Sequence, residues 1–215
     1  FYRHRKDNQA LATALLDRGA LRDRLNMPEA ARTDYETVIE LPHLHREDPD
    51  RLMALGNLAN VYARYRQWER AIPLYQQSLD VFTSRRQWPE AALVSANLAQ
   101  CHLLKGDLES ALRSMRQSQD WSKTSRGRLL DPRVYCIQAE CLTAAGSPEE
   151  ALVLLERLPS LCASAGNESA VWELDYFRGQ ALAKLGRRRE ALGLFRQALA
   201  GFEQSERDCG DAVAE

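Results

Sequence analysis

The chain has 215 residues, 45% of them hydrophobic and 27% charged, and its 29 Lys and Arg against 30 Asp and Glu leave a formal net charge of −1. That balance excludes a disordered chain, a polybasic membrane anchor and a nucleic-acid binder that works by basic excess. No apolar run approaches the ~20 residues of a membrane helix, and 11 glycines with 8 prolines are too few for a turn-rich all-β protein.

In chain order, Phe1-Tyr2 falls where Val81-Phe82 sits in its own stretch, so residues 1–11 read as the tail of a preceding unit and a lead-in. Helices are then predicted in pairs: near 12–25 and 28–40, 51–65 and 68–83, 89–104 and 108–121, 132–145 and 148–163, and 168–185 and 188–204. The corresponding units are 12–50, 51–88, 89–131, 132–167 and 168–207. Residues 208–215 match the start of a further first helix, because Asp211–Glu215 aligns with Val171–Asp175. The chain therefore reads as one array cut from a longer one. The least regular connection is Leu41–Asp50, with prolines at 42 and 49.

Self-similarity carries this division. Alanine recurs at Ala31, Ala71, Ala111, Ala151 and Ala191, 40 residues apart. Twelve residues earlier stand Gly19, Ala59, Ala99, Ala139 and Gly179, all nearly without side chain. Four residues after each alanine come Tyr35, Tyr75, Met115, Leu155 and Phe195, all large and apolar. Asn26, Arg66, Gly106, Gly146 and Gly186 mark the turn inside each pair. Two antiparallel helices approach closely only where the crossing point carries a small residue, and a large one then fills the space beside it. Pro89, Asp131-Pro132 and Ser147-Pro148 supply helix starts.

These columns, as in "LKGDLESALRSM" (104–115) and "TAAGSPEEALVLL" (143–155), resemble the tetratricopeptide repeat over nearly the whole chain. The period is 40 where the usual one is 34, as in a longer-helix subclass resembling Leu-Gly-Asn-type adaptor scaffolds and bacterial multidomain regulators; "LGNLANVYARYRQWERAI" (55–72) is close to its signature. The resemblance implies an all-α, right-handed superhelical solenoid of antiparallel helix pairs in five repeats.

Catalytic motifs are missing: there is no G-x-G-x-x-G, P-loop, H-E-x-x-H or G-x-S-x-G. No enzyme activity, cofactor or metal is expected. His43 and His45 sit in an acidic loop and read as solvated, while His102 occupies a packing column. The five cysteines (Cys101, Cys136, Cys141, Cys162 and Cys209) are odd in number and lack a C-x-x-C pair, so a reducing, cytoplasmic setting is expected. Arg187–Arg189, Arg85-Arg86, Arg3, Arg5, Lys6, Arg126 and Arg128 fall near turns and could line one edge, for which solvated turns are the default reading.

The first helices of such a stack line its concave side. Asn57, Asn60, Arg64, Asn97, Gln100, Arg133, Glu140, Tyr176, Gln180 and Lys184 are offset from the packing columns toward that side. The column Ala20, Asn60, Gln100, Glu140, Gln180 is polar in four of five places, and an amide offers both a donor and an acceptor to an extended backbone. Arg64, one turn after Asn60, adds a positive charge suited to an acidic group. The expected function is a scaffold that takes a peptide or protein segment in its groove, with neither nucleic acid nor membrane as partner. The alternative is a sensor or autoinhibitory arm of a larger enzyme or transcription regulator, its partner being another domain of the same parent.

Overall fold

The computed structural model describes residues 2–42, 44–124, 132–156, 158 and 171–214, and the side chains of 8–42, 44–124, 132–156, 158, 172–204 and 207. Among the described residues all regular structure is helical: α1 (Tyr2–Arg24), α2 (Pro28–Glu40), α3 (Pro49–Arg64), α4 (Trp68–Ser84), α5 (Trp88–Lys105), α6 (Leu108–Thr124), α7 (Pro132–Ala144), α8 (Pro148–Glu156), α9 (Val171–Lys184) and α10 (Arg188–Ala214). None of them is long and apolar enough to cross a membrane. Odd-numbered helices pair with the even-numbered helix that follows, and α2, α4, α6 and α8 each pack on the next first helix, giving a superhelical stack of helix pairs.

The repeat columns explain the packing. Ala31, Ala71, Ala111 and Ala151 are fully buried, and Ala59, Ala99 and Ala139 are closed off beside them. A methyl group added at Gly19 would stand 2.6 Å from the Tyr35 ring, and one at Gly179 would stand 2.6 Å from the Phe195 ring. In those two pairs the small column is where the large column lands.

The turns repeat at the same period. The backbone N–H groups of Met27, Gln67, Asp107, Ser147 and Arg187 donate to the carbonyls of Arg22, Tyr62, His102, Leu142 and Leu182 at 2.8–2.9 Å. Each bond closes a left-handed C-terminal cap. Gly106, Gly146 and Gly186 take positive φ there, and so do Asn26 and Arg66, the latter a residue with no intrinsic preference for it. The cap geometry thus outlasts the glycine.

Two boundaries differ from expectation. Helix α1 runs unbroken from Tyr2 to Arg24, so residues 2–11 are continuous with the first helix expected near 12–25. They contain neither Pro nor Gly to interrupt the backbone ladder. Helix α10 continues to Ala214, through Gly201 and Gly210, so residues 208–214 are continuous with the second helix expected near 188–204. A single glycine costs a helix only about 1 kcal/mol and does not by itself end it. The second half of the predicted 148–163 helix, the start of the 168–185 helix, the cap Asp131 and the residues Cys162 and His43 lie outside the described residues.

The first pair carries its own ionic lock. Asp34, 1% exposed on α2, accepts from Arg18 at 2.7 Å and from Arg22 at 2.6 Å, both on α1. Burial pushes this carboxyl up, but hydrogen bonds and charge from the two arginines outweigh it and hold it below the ordinary value.

Candidate functional site

The trough lies on the first helices, and its shape follows from where they meet. Helices α1 and α3, α5 and α7, and α7 and α9 pack on one another, whereas α3 and α5 do not close on each other. Two clefts open at that gap, of about 390 and 410 Å³, and both are lined by Asn57, Asn60, Tyr75 and Asn97. The first extends toward Arg64, Gln100 and Arg133 and is polar in character. The second extends toward Met53, Phe82 and Val94 and is largely apolar. Gly56 faces it, and a Cβ there would meet nothing within 4 Å.

Asn57, Asn60, Arg64, Asn97, Gln100 and Arg133 are therefore brought together around one trough. Glu140 joins them through Gln100, whose Nε2 donates to its carboxylate at 3.0 Å. Burial pushes the Glu140 carboxyl up, against the lowering effect of that hydrogen bond. Tyr176 stands across a third cleft of about 210 Å³ that shares Gln100 and Arg133. Gln180 and Lys184, farther along α9, line none of these three clefts.

Two expected roles change. Arg64 does not offer an unmatched charge: its guanidinium makes a bidentate pair with Asp23 of α1, at 2.7 and 2.9 Å. Asp23 sits one turn after Gly19, and nothing in the repeat pattern marks it as the partner. Asn60 is partly committed too, since its Oδ1 accepts the hydroxyl of Tyr75. That hydroxyl is strongly buried, which raises its pKa. Asn57 makes no side-chain hydrogen bond among the described residues, so its amide is available to the trough. Leu16 and Ala96, also on first helices, are packed into the core.

Unmet hydrogen-bonding capacity is concentrated on α5. Asn97 is 8% exposed and its buried Oδ1 has no partner among the described residues; Oε1 of Gln87 and Oε2 of Glu90 are also buried without one there. All three residues line the apolar cleft. A buried acceptor left unpaired costs about 1–3 kcal/mol. The sequence reading did not single out Gln87 or Glu90, although they share a helix face with Asn97 at spacings of three and seven.

Elsewhere the chemistry is structural. Burial pushes the thiols of Cys101 and Cys141 up to about 12. It also lowers the His102 pKa, and His102 Nδ1 is 3.7 Å from Asp107, beyond hydrogen-bond length. Among the described residues no three His, Cys, Asp or Glu side chains gather as metal ligands do. On the basic edge, Arg85 pairs with Glu47 and Arg187 with Glu190. The side chains of Arg3, Arg5, Lys6, Arg126 and Arg128 lie outside the described set.

Comparison with known proteins agrees with this architecture. The tetratricopeptide repeat family model matches residues 50–120, the stretch that forms the gap. Among solved structures the chain is similar to the nearly identical TPR-like repeats of a putative kinesin light chain from Podosopora anserina, at 20% identity, covering 91% of this chain and 96% of that one with a TM-score of 0.62. It is similar to a Rap protein complexed with Competence and Sporulation Factor at 15% identity and a TM-score of 0.74, covering 92% of this chain but only 56% of that one. It is also similar to PlcR of Bacillus thuringiensis, solved with the peptide PapR7 and DNA, at 14% identity and a TM-score of 0.70, covering 94% and 73%. At such identities the likeness establishes the fold, a tetratricopeptide-type solenoid. No curated protein matches the sequence.

Proposed function

We propose that this chain is a protein-interaction scaffold whose trough along α3, α5 and α7 holds an extended peptide or protein segment. The observation that carries the reading is the gap between α3 and α5, with the buried and unpaired Asn97 oxygen at its wall. Asn57 supplies a second uncommitted amide, and an amide pair can meet the N–H and C=O of an extended strand. One fold-alike was solved with Competence and Sporulation Factor and another with the peptide PapR7 and DNA, which supports a peptide or protein ligand. The buried thiols are compatible with a reducing, cytoplasmic setting. Pairing of Arg85 and Arg187 with acidic neighbours leaves the basic edge a weaker surface for a polyanion.

Either a separate protein or another domain of a longer parent can supply the segment, and one experiment addresses both. The photo-crosslinker p-benzoylphenylalanine is placed at position 53 in the trough, or at position 188 on the outer turn, in cells of the source organism. A specific adduct from position 53 and none from 188 is the expected result, and its mass spectrum identifies the segment. Adducts from 188 alone would sink the trough reading.

A further inference from the structure

We infer that the apolar cleft between α3 and the first turns of α5 is an arginine pocket, in which a guanidinium meets the buried acceptors of Gln87 and Glu90 while the backbone of the same segment meets Asn97. This inference rests on the trough reading and makes it specific.

The donor–acceptor balance is the first reason. The three unpaired buried atoms in this cleft are all oxygens: Gln87 Oε1, Glu90 Oε2 and Asn97 Oδ1. An occupant that completes them must bring donors. A carboxylate or phosphate brings none, so the expectation of an acidic ligand is reversed at this place. Charge points the same way. The cleft's one cation, Arg85, is held by Glu47 through Nε at 3.2 Å and donates again to the Glu47 backbone carbonyl at 3.0 Å. Glu90 has no such counterpart among the described residues, so the charge left over is negative.

Spacing gives the second reason. Gln87 immediately precedes α5 and Glu90 stands in its first turn, and Asn97 lies seven residues beyond Glu90, about 10 Å along the axis at 1.5 Å per residue. One small ligand does not span all three. A peptide does, with its backbone at Asn97 and a long side chain running back along the helix. The wall between is apolar, formed by Met53, Phe82 and Val94, and suits an alkyl stem. Arginine fits the far end better than lysine, because its planar fork presents five donors to two acceptors in fixed directions.

A library of random twelve-residue peptides displayed on phage is selected on the wild-type protein. Enriched peptides are synthesised, with any shared arginine also replaced by citrulline, which keeps the shape and loses the charge. Dissociation constants are measured on wild type, Glu90→Gln and Asn57→Ala, each checked by melting. The expected result is a shared arginine, at least tenfold weaker binding of the citrulline peptide to wild type, and near-equal binding of the two peptides to Glu90→Gln. Peptides that lose affinity on Asn57→Ala but share no arginine, share a lysine instead, or show the same citrulline effect on both proteins overturn the arginine pocket and leave the trough standing. Failure to enrich any peptide, or enriched peptides indifferent to both substitutions, overturns both readings.

Discussion

The same substitution, Gly to Ala, should stabilise at one first-helix position and not at another. At Gly19 the added Cβ lies 2.6 Å from Tyr35 Cε1 and 3.0 Å from Cζ, and the Tyr35 ring is 1% exposed, with no space to swing into. Alanine recovers about 1 kcal/mol of helix propensity, but overpacking a closed core costs about 1–3 kcal/mol. The net effect is neutral to destabilising. At Gly56 the Cβ meets nothing within 4 Å, so only the propensity gain remains. The two variants should therefore differ by about 1–3 kcal/mol, or roughly 2–12 °C in Tm for a chain of this size. Gly179→Ala should fall between them, since its Cβ meets Phe195 at 2.6 Å but that ring is only half-buried. Stacked repeats need not melt in one step, so melting by circular dichroism is paired with amide exchange of α1 and α2. Gly19→Ala melting as high as Gly56→Ala, with unchanged exchange in α2, would refute the claim that the small column sets the interhelix contact.

Removing the Asn60 acceptor leaves the buried Tyr75 hydroxyl unpaired, so Asn60→Ala should lose about 1–3 kcal/mol in urea unfolding, whereas Asn57→Ala should stay near wild type. Because the Asp34 carboxyl is held below its ordinary value when folded, its stabilising effect is present above the unfolded pKa and fades as pH falls through the lower folded one. The Tm gap between wild type and Asp34→Asn should accordingly be widest near neutral pH and shrink below about pH 4; a gap constant from pH 7 to pH 3 would contradict the ionic lock. With pKa values near 12, Cys101 and Cys141 expose roughly one thiolate in ten thousand at pH 8. Mass spectrometry should find both unmodified by a thiol reagent in the native protein and modified in denaturant.

Most of the fold is legible because it is periodic. A column of alanine, glycine or other small residues every 40 positions has no cause except repeated close crossings, and the turn column independently sets the frame. Helix ends are less legible where periodicity has nothing to act on. Residues 2–11 and 208–214 match the repeat frame only loosely, and no proline enforces a break there, so local helix propensity carries α1 and α10 through. Asp34 shows another limit. It stands in the column of Leu74, Ser114, Leu154 and Leu194, and its burial becomes intelligible only when Arg18 and Arg22 are seen beside it.

The trough was legible as a face and not as chemistry. Helical spacing places Asn57, Asn60, Arg64, Asn97 and Gln100 on the inner side, and the structure gathers them there. What each can still bind depends on what its neighbours have already taken, and that is a property of several helices at once. Asp23 of α1 neutralises Arg64, and Tyr75 of α4 occupies the Asn60 oxygen. Those two contacts take from the groove the unmatched charge and the free amide oxygen that the reading of a clamp for an acidic group relies on. Conversely, Gln87 and Glu90 look like ordinary solvated residues at a helix start. They acquire meaning because a cleft forms over them between α3 and α5 whose one cation, Arg85, is already held by Glu47. On the proposed reading, specificity would be set by residual valence, meaning the acceptors left over after the stack has satisfied itself. Variants that alter pairing within the stack, such as Asp23→Asn freeing Arg64, should change what the trough selects as strongly as variants of the trough itself. The peptides enriched on Asp23→Asn should shift toward acidic residues near the Arg64 end, and an unchanged consensus would show that the intramolecular pair does not govern selection.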